Sequence, residues 1–277
     1  MRGATALLAA ALVAGAALPA RADFGGVPDH VQLSLGGTAA ELVTQGSLTP
    51  ANGGTGVAID FEGLFNIPGD KQAARLDGFW RFGERHYLDF GYVQFNRSGS
   101  RQIDEDVTWG DFNFQAGAFV TATFDSNFPY AAYRYDFLHE DKVKISGSAG
   151  VSFMEIAPTL AATGNVTGPE GPVSGAVSEG DSVRFPVPLV GLRVDWALRD
   201  RLSVEMFTRF FRLNAASFNG GMREASARLK WHFTQHVGAA LGYDSTTLRI
   251  KEYETDDKKL KFIYEVTGVS GYLTLAF

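Results

Sequence analysis

In three segments of this 277-residue chain, every second side chain is apolar, with few exceptions, while the positions between are largely charged. Ala225, Ala227, Leu229, Trp231 and Phe233 fall on one side of an extended segment, and Ser226, Arg228, Lys230 and His232 on the other. Upstream, Leu202, Val204, Met206, Thr208 and Phe210 oppose Ser203, Glu205 and Arg209, and Val190, Leu192, Val194, Trp196 and Leu198 oppose Arg193 and Asp195. A period of two is that of a β-strand. A soluble sandwich would bury the apolar side. In a membrane the apolar side faces lipid, because a charge placed there near the midplane costs roughly 2–4 kcal/mol. The charged side then lines a lumen, and the sheet must close so that no backbone group is left unpaired in hydrocarbon.

The N-terminus points the chain toward export. Met1-Arg2 precedes an apolar run from Ala6 to Leu18 and the small-x-small triplet Ala20-Arg21-Ala22. This is the pattern of a secretory signal peptide (residues 1–22) cleaved after Ala22, leaving residues 23–277 as one domain. Beyond it no stretch approaches ~18 uncharged apolar residues, so no transmembrane helix is expected. The mean hydropathy of -0.05 fits a chain in which only alternate residues meet lipid. With Cys 0, a disulfide framework and a thiolate metal site are excluded. A net charge of -6 without any Lys/Arg cluster excludes nucleic acid as a partner.

The chain closes on Gly271-Tyr272-Leu273-Thr274-Leu275-Ala276-Phe277, again alternating and ending in an aromatic residue. Tyr272, Leu273, Leu275 and Phe277 resemble the assembly signal of Gram-negative outer-membrane β-barrels, whose last strand closes the barrel. Arg75 to Tyr92, with Ser98-Gly-Ser-Arg101 beyond, resembles a hairpin of uncharacterised members of that class, porin-like or OmpW-like. The resemblance spans nearly all of the mature chain. It implies residence in the outer membrane, with outer-membrane lipid, lipopolysaccharide and, during biogenesis, the barrel-assembly machinery as partners. It carries no activity with it.

Tight turns at Gly83-Glu84-Arg85, His139-Glu140-Asp141, Arg199-Asp200-Arg201 and Thr234-Gln235-His236 alternate with long connections near 45–54, 97–115, 155–181, 214–221 and 254–259. This rhythm predicts an all-β, antiparallel up-and-down barrel of ten strands, with eight or twelve as alternatives. The strand cores are Val31 to Thr44, Lys71 to Phe82, His86 to Phe95, Asn127 to Leu138, Lys142 to Glu155, Arg184 to Leu198, Leu202 to Leu213, Met222 to Phe233, Val237 to Lys251 and Leu260 to Phe277. Thr55 to Phe61, Arg101 to Trp109 and Phe119 to Phe124 also read as strand, and are expected as extensions above the membrane. Trp80, Phe82, Tyr87, Phe137, Trp196, Trp231 and Phe233 lie near the tight turns and suit a periplasmic-side aromatic girdle.

Arg75-x-Asp77, Arg134-x-Asp136 and Arg193-x-Asp195 recur at equal intervals, each on a strand descending to a tight turn. With Arg81, Asp89, Lys144, Glu205, Arg209, Arg228 and Lys230 they predict a lumen of mixed charge, either an ion-pair network filling it or a lining for solute passage. Barrel enzymes of the omptin, lipid A deacylase and phospholipase kinds resemble one another in needing a histidine near the outer rim. Here His30, His86, His139, His232 and His236 all fall at the tight-turn end. Asp104-Glu105-Asp106 resembles an acidic pair of such a protease without its Asp-x-His partner, and the bland reading is a solvated loop. Asp104, Asp106, Asp111 and Asp125 show no calcium-loop spacing, so neither metal nor cofactor is expected. The low-charge stretch from Ala157 to Asp181 is expected to be mobile or folded over the barrel mouth. The expectation is a non-enzymatic barrel, structural or passing small solutes through a narrow lumen. The alternatives are a surface protease or lipid hydrolase, and a loop-mediated adhesin.

Overall fold

The computed structural model describes residues 23–50, 59–109, 111–173, 175–180, 182–215, 218–254 and 258–277. Ala20 and Ala22, and with them the expected cleavage site, lie outside the described residues. Among those described, ten strands form a closed antiparallel ring. They are β1 (Val31–Pro50), β2 (Asp70–Arg81), β3 (His86–Gln102), β4 (Phe119–Asn127 continued by Tyr130–His139), β5 (Val143–Thr163), β6 (Val183–Arg199, with Ala176–Gly180 continuing it above), β7 (Leu202–Ala215), β8 (Phe218–His232), β9 (Val237–Glu254) and β10 (Lys258–Ala276). The last strand closes onto the first from Ala276 against Gln32 to Lys258 against Pro50. Phe277 is held at the seam: its carbonyl accepts from the His30 and Val31 amides at 2.9 and 2.8 Å.

At the tight-turn end the wall follows the period-two pattern. Leu192, Trp196, Leu229, Trp231, Leu241 and Leu273 stand outward and exposed, while Asp195, Glu205, Arg228 and Lys230 are buried inside. Higher up the polarity reverses. On β10, Leu273 and Val269 face outward below, but above them Lys261 and Glu265 are outward and Phe262 and Tyr264 are buried. The same strands thus build a membrane barrel below and a water-facing shell with an apolar core above.

The upper part also opens into two sheets. Pairing of β2 with β3 ends at Arg75 against Val93, and pairing of β6 with β7 ends at Val190 against Phe210. The second gap is written in Pro186 and Pro188. Ala197 donates to the carbonyl of Lys142, the residue that leads into β5, so the odd residues of β6 face β5 and the even ones face β7. Two prolines at even positions remove the amides that β7 would need, which confines the unpaired edge to that side.

Three extensions differ from the sequence reading. Phe119–Asn127 pairs with β3 and β5 and lengthens β4, so it adds no crossing. Within Thr55 to Phe61, residues 55–58 lie outside the described residues, only Ile59–Asp60 pairs with β1, and Phe61 opens a short helix, α1 (Phe61–Phe65). Asp60 caps it by accepting from the Gly63 amide at 3.2 Å, and Asn66 ends it at φ 53. Of Arg101 to Trp109, β3 keeps the first two residues. Val107–Trp109 joins Phe112–Phe114, Val166–Gly168 and Gly171–Val173 in a separate four-stranded sheet.

The long connections are more ordered than their composition suggested. Ile156, Pro158, Leu160 and Ala162 alternate inward, so β5 runs on to Thr163, and Ala176–Gly180 pairs with it. Between β7 and β8 only residues 216–217 intervene, and between β9 and β10 only 255–257.

Candidate functional site: the filled lumen

Each Arg-x-Asp motif places both charges on the inner face two residues apart, and each closes an ion pair within its own strand. The distances are 2.9 Å for Arg75–Asp77, 3.3 Å for Arg134–Asp136 and 2.7 Å for Arg193–Asp195. Neighbouring strands cross-link these pairs. Glu205 on β7 meets Arg193 at 2.5 Å, Arg228 at 3.5 Å and the Lys230 ammonium. Arg228 also reaches Asp77 at 3.3 Å, and Arg134 reaches Asp89 at 3.0 Å. Arg209 pairs with Glu224 at 3.2 Å and lies over the Tyr130 ring at 4.1 Å. Tyr130 in turn donates to Asp77 at 3.2 Å, an approach that Gly91 allows, since a Cβ there would sit 2.3 Å from the tyrosine ring.

Asp29, Glu224 and Asp244 belong to this network and were not singled out from the sequence. Glu224 lies on the same face of β8 as Ser226 and Arg228, so extending the alternation by one step would have found it. Asp244 shares its face with Gly242 and Ala240, whose small side chains gave no polar signal. Asp29 precedes the first strand and has no pattern to betray it. It arrives because Asp23–Phe24 and Val27–Pro28 form a hairpin over the tight-turn mouth, where Asp29 takes the Lys144 ammonium, Arg81 at 3.1 Å and the Tyr87 hydroxyl at 2.9 Å. Among the described residues, every buried lumen cation of the ring therefore has a carboxylate. Burial of unpaired charge would cost several kcal/mol per ion, so pairing is the condition for filling a lumen with such residues.

Above the charges the interior turns apolar. Phe61 and Phe65 of α1 are fully buried, Phe61 at 5.5 Å from Trp109 and 5.6 Å from Phe124, and Phe124 stacks on Phe262 at 5.7 Å. Arg97 is the one buried cation among the described residues of this layer. It pairs with Glu62 on α1, donates to the Thr44 hydroxyl and lies 5.3 Å from the Phe124 ring centre. Between the two layers is a cavity of ≈ 70 Å³, floored by Arg75, Asp77, Arg209 and Glu224 and roofed by Phe95, Met154, Leu189 and Tyr264. A smaller cavity of ≈ 30 Å³ lies under the N-terminal hairpin.

Asp104 pairs with Arg101 at 2.8 Å in solvent, and Asp106 accepts from the Ala116 amide at 2.9 Å. All five histidines sit at or beside the tight-turn end: His30 before β1, His86 opening β3, His139 ending β4, His232 ending β8 and His236 before β9. Among the described residues no three His, Asp or Glu side chains gather as metal ligands. At the closing strand Tyr272 is buried inward, Leu273 faces outward, and Phe277 stacks on His236 at 5.8 Å.

No protein-family model matches the chain, and no curated protein matches it by sequence. Similar solved structures include the outer membrane protease OmpT from Escherichia coli, at 12% identity and a TM-score of 0.57, covering 93% of this chain and 99% of that one. The translocator domain of the autotransporter NalP from Neisseria meningitidis matches at 13% identity and a TM-score of 0.47, over 90% and 89% of the two chains. OprG from Pseudomonas aeruginosa matches at 9% identity and a TM-score of 0.34, over 91% and 99%. At these identities the likeness speaks for architecture alone. The ring of ten strands, the apolar belt and the likeness to OmpT give the chain the fold of a small Gram-negative outer-membrane β-barrel.

Proposed function

We propose that the protein is a closed, non-enzymatic barrel of the outer membrane, whose lumen is a structural filling and carries no steady flow of solute. The observation behind this reading is the stacking of two seals. At membrane depth, paired charges bridge the ring, with Arg228 alone reaching β2, β7 and β9. Above them the apolar layer around Phe61, Phe65, Trp109 and Phe124 occupies the upper interior. A ring of about ten strands has an interior that side chains can fill, whereas open aqueous channels belong to barrels of about sixteen or more. The absence of histidine near Asp104 and Asp106 supports the non-enzymatic part.

Planar-bilayer recording of the refolded, heat-modifiable protein tests the reading. The expected trace is flat, with at most brief small steps, and large steady steps of the size open porins give would overturn it. Peptide and lipid A cleavage are assayed on the same preparation. Turnover that disappears in Asp104→Ala would replace the structural reading with an enzymatic one.

A further inference from the structure

The two outer faces of the upper shell differ in charge. On β3, β4 and β5 the outward positions are Gln94, Asn96, Ser98, Ser100, Thr121, Thr123 and Thr159, and the charges there are Asp125 and the Arg184–Glu155 pair at 2.6 Å. On β7 to β10 the outward positions carry Arg212, Arg223, Arg249, Lys251 and Lys261, all exposed. The register groups them: Arg212 opposes Gly221, Gly221 opposes Arg249, and Arg223 lies two residues further down β8. The acids on this face are Glu265, paired with Arg249 at 3.1 Å, Glu41 at its lower edge and, by register, Glu252 opposite Asn219 and Glu254 opposite Lys259 at its top. Among the described residues, Arg212, Arg223, Lys251 and Lys261 form no ion pair. The outer face of β7 to β10 thus carries more cations than acids in a chain of net charge -6.

Their height gives the partner. Two residues of a tilted strand climb about 5 Å. Arg212 is one outward position above the lipid-facing Phe210, Arg249 is three above Tyr243, and Lys261 is four above Val269. Arg223 opposes Phe210 across the strands, so the patch starts at the upper edge of the apolar belt and ends about 20 Å above it. A phospholipid headgroup layer is only roughly 5–8 Å deep. We propose that this face docks the phosphorylated saccharide of the outer-leaflet glycolipid, with Arg212 and Arg223 on its lower phosphates and Arg249, Lys251 and Lys261 on phosphates of the sugar core above. Guanidinium groups suit this role because they meet phosphate through two parallel hydrogen bonds.

The test uses the full mature chain in detergent micelles, titrated with rough lipopolysaccharide carrying core phosphates, with the same material dephosphorylated, and with phosphatidylglycerol. The joint variant Arg212→Gln, Arg223→Gln, Lys251→Gln and Lys261→Gln is compared, and retained heat-modifiable migration shows that it is folded. Affinity for lipopolysaccharide is expected to fall at least tenfold both in the variant and on dephosphorylation. Arg184→Gln on the opposite face is expected to change it less than twofold. Undiminished binding by the variant, or equal binding of dephosphorylated material, overturns the proposal. Equal affinity for phosphatidylglycerol overturns the glycolipid as the partner.

Discussion

Glu205 is where the lumen's cations converge, since Arg193, Arg228 and Lys230 all lean on its carboxylate. Glu205→Ala leaves them without it in a buried setting, and a loss of about 3–5 kcal/mol is expected. Glu205→Gln retains hydrogen-bond acceptance and should lose less. Urea unfolding of the micelle-bound protein measures both, and equal losses would show that hydrogen-bond acceptance without the charge contributes nothing there. By contrast, removing the exposed Arg249–Glu265 pair should shift stability by no more than about 1 kcal/mol. At this scale much was legible. Inward positions follow from period two, so Arg193, Glu205 and Arg228 are readable as lumen residues. Which carboxylate serves which cation is set by register and strand stagger, and Asp29 enters from a hairpin outside the repeat.

Among the elements, α1 has the least expected place. It stands beside the gap between β2 and β3, with Arg97 on its Glu62, Arg101 donating to the Gly63 carbonyl at 3.3 Å, and Gly99 against its C-terminal end. A Cβ at Gly99 would come within 2.6 Å of the Phe65 carbonyl and 2.5 Å of that of Asn66. Gly99→Val should therefore push α1 off the wall. The expected result is new limited-proteolysis cleavage between residues 60 and 69 while the membrane-embedded part stays resistant. Unchanged cleavage would show that the contact does not hold the helix. The two prolines of β6 act at the same scale. They predict that the β6-facing amides of Arg212 and Asn214 exchange faster than those of Met206, Thr208 and Phe210, a difference that hydrogen exchange resolves.

Across the whole molecule, one set of strands serves two solvents. Below, the outside is apolar and the inside charged. Above, the outside is polar and the inside apolar, so Phe262 and Tyr264 are buried two turns of the pleat from the lipid-facing Val269. From the short turns at one end and the shell at the other we predict an orientation with the tight turns in the periplasm and the shell outside. Because the chain has Cys 0, single cysteines report on it without background. Ser100→Cys is expected to react with a membrane-impermeant maleimide on intact cells, and Glu84→Cys only after the outer membrane is permeabilised. The reverse pattern would invert the topology and with it the place of the basic face.

What the sequence determined by itself was the class of solution. Alternation with charge on one face, four tight turns and a closing aromatic strand admit a membrane barrel, because hydrocarbon tolerates neither unpaired backbone nor unpaired charge. Only the tertiary structure decided that the upper interior of the barrel holds an apolar layer. The apolar runs of the upper strands, Leu160 and Phe262 among them, have the same alternation as lipid-facing ones, and a period of two says which residues share a face without saying which face is inside. That choice is made by closure: the ring sets inside and outside once for all ten strands. Phe61 and Trp109, carried on segments with no place in the ring, then complete the core from above.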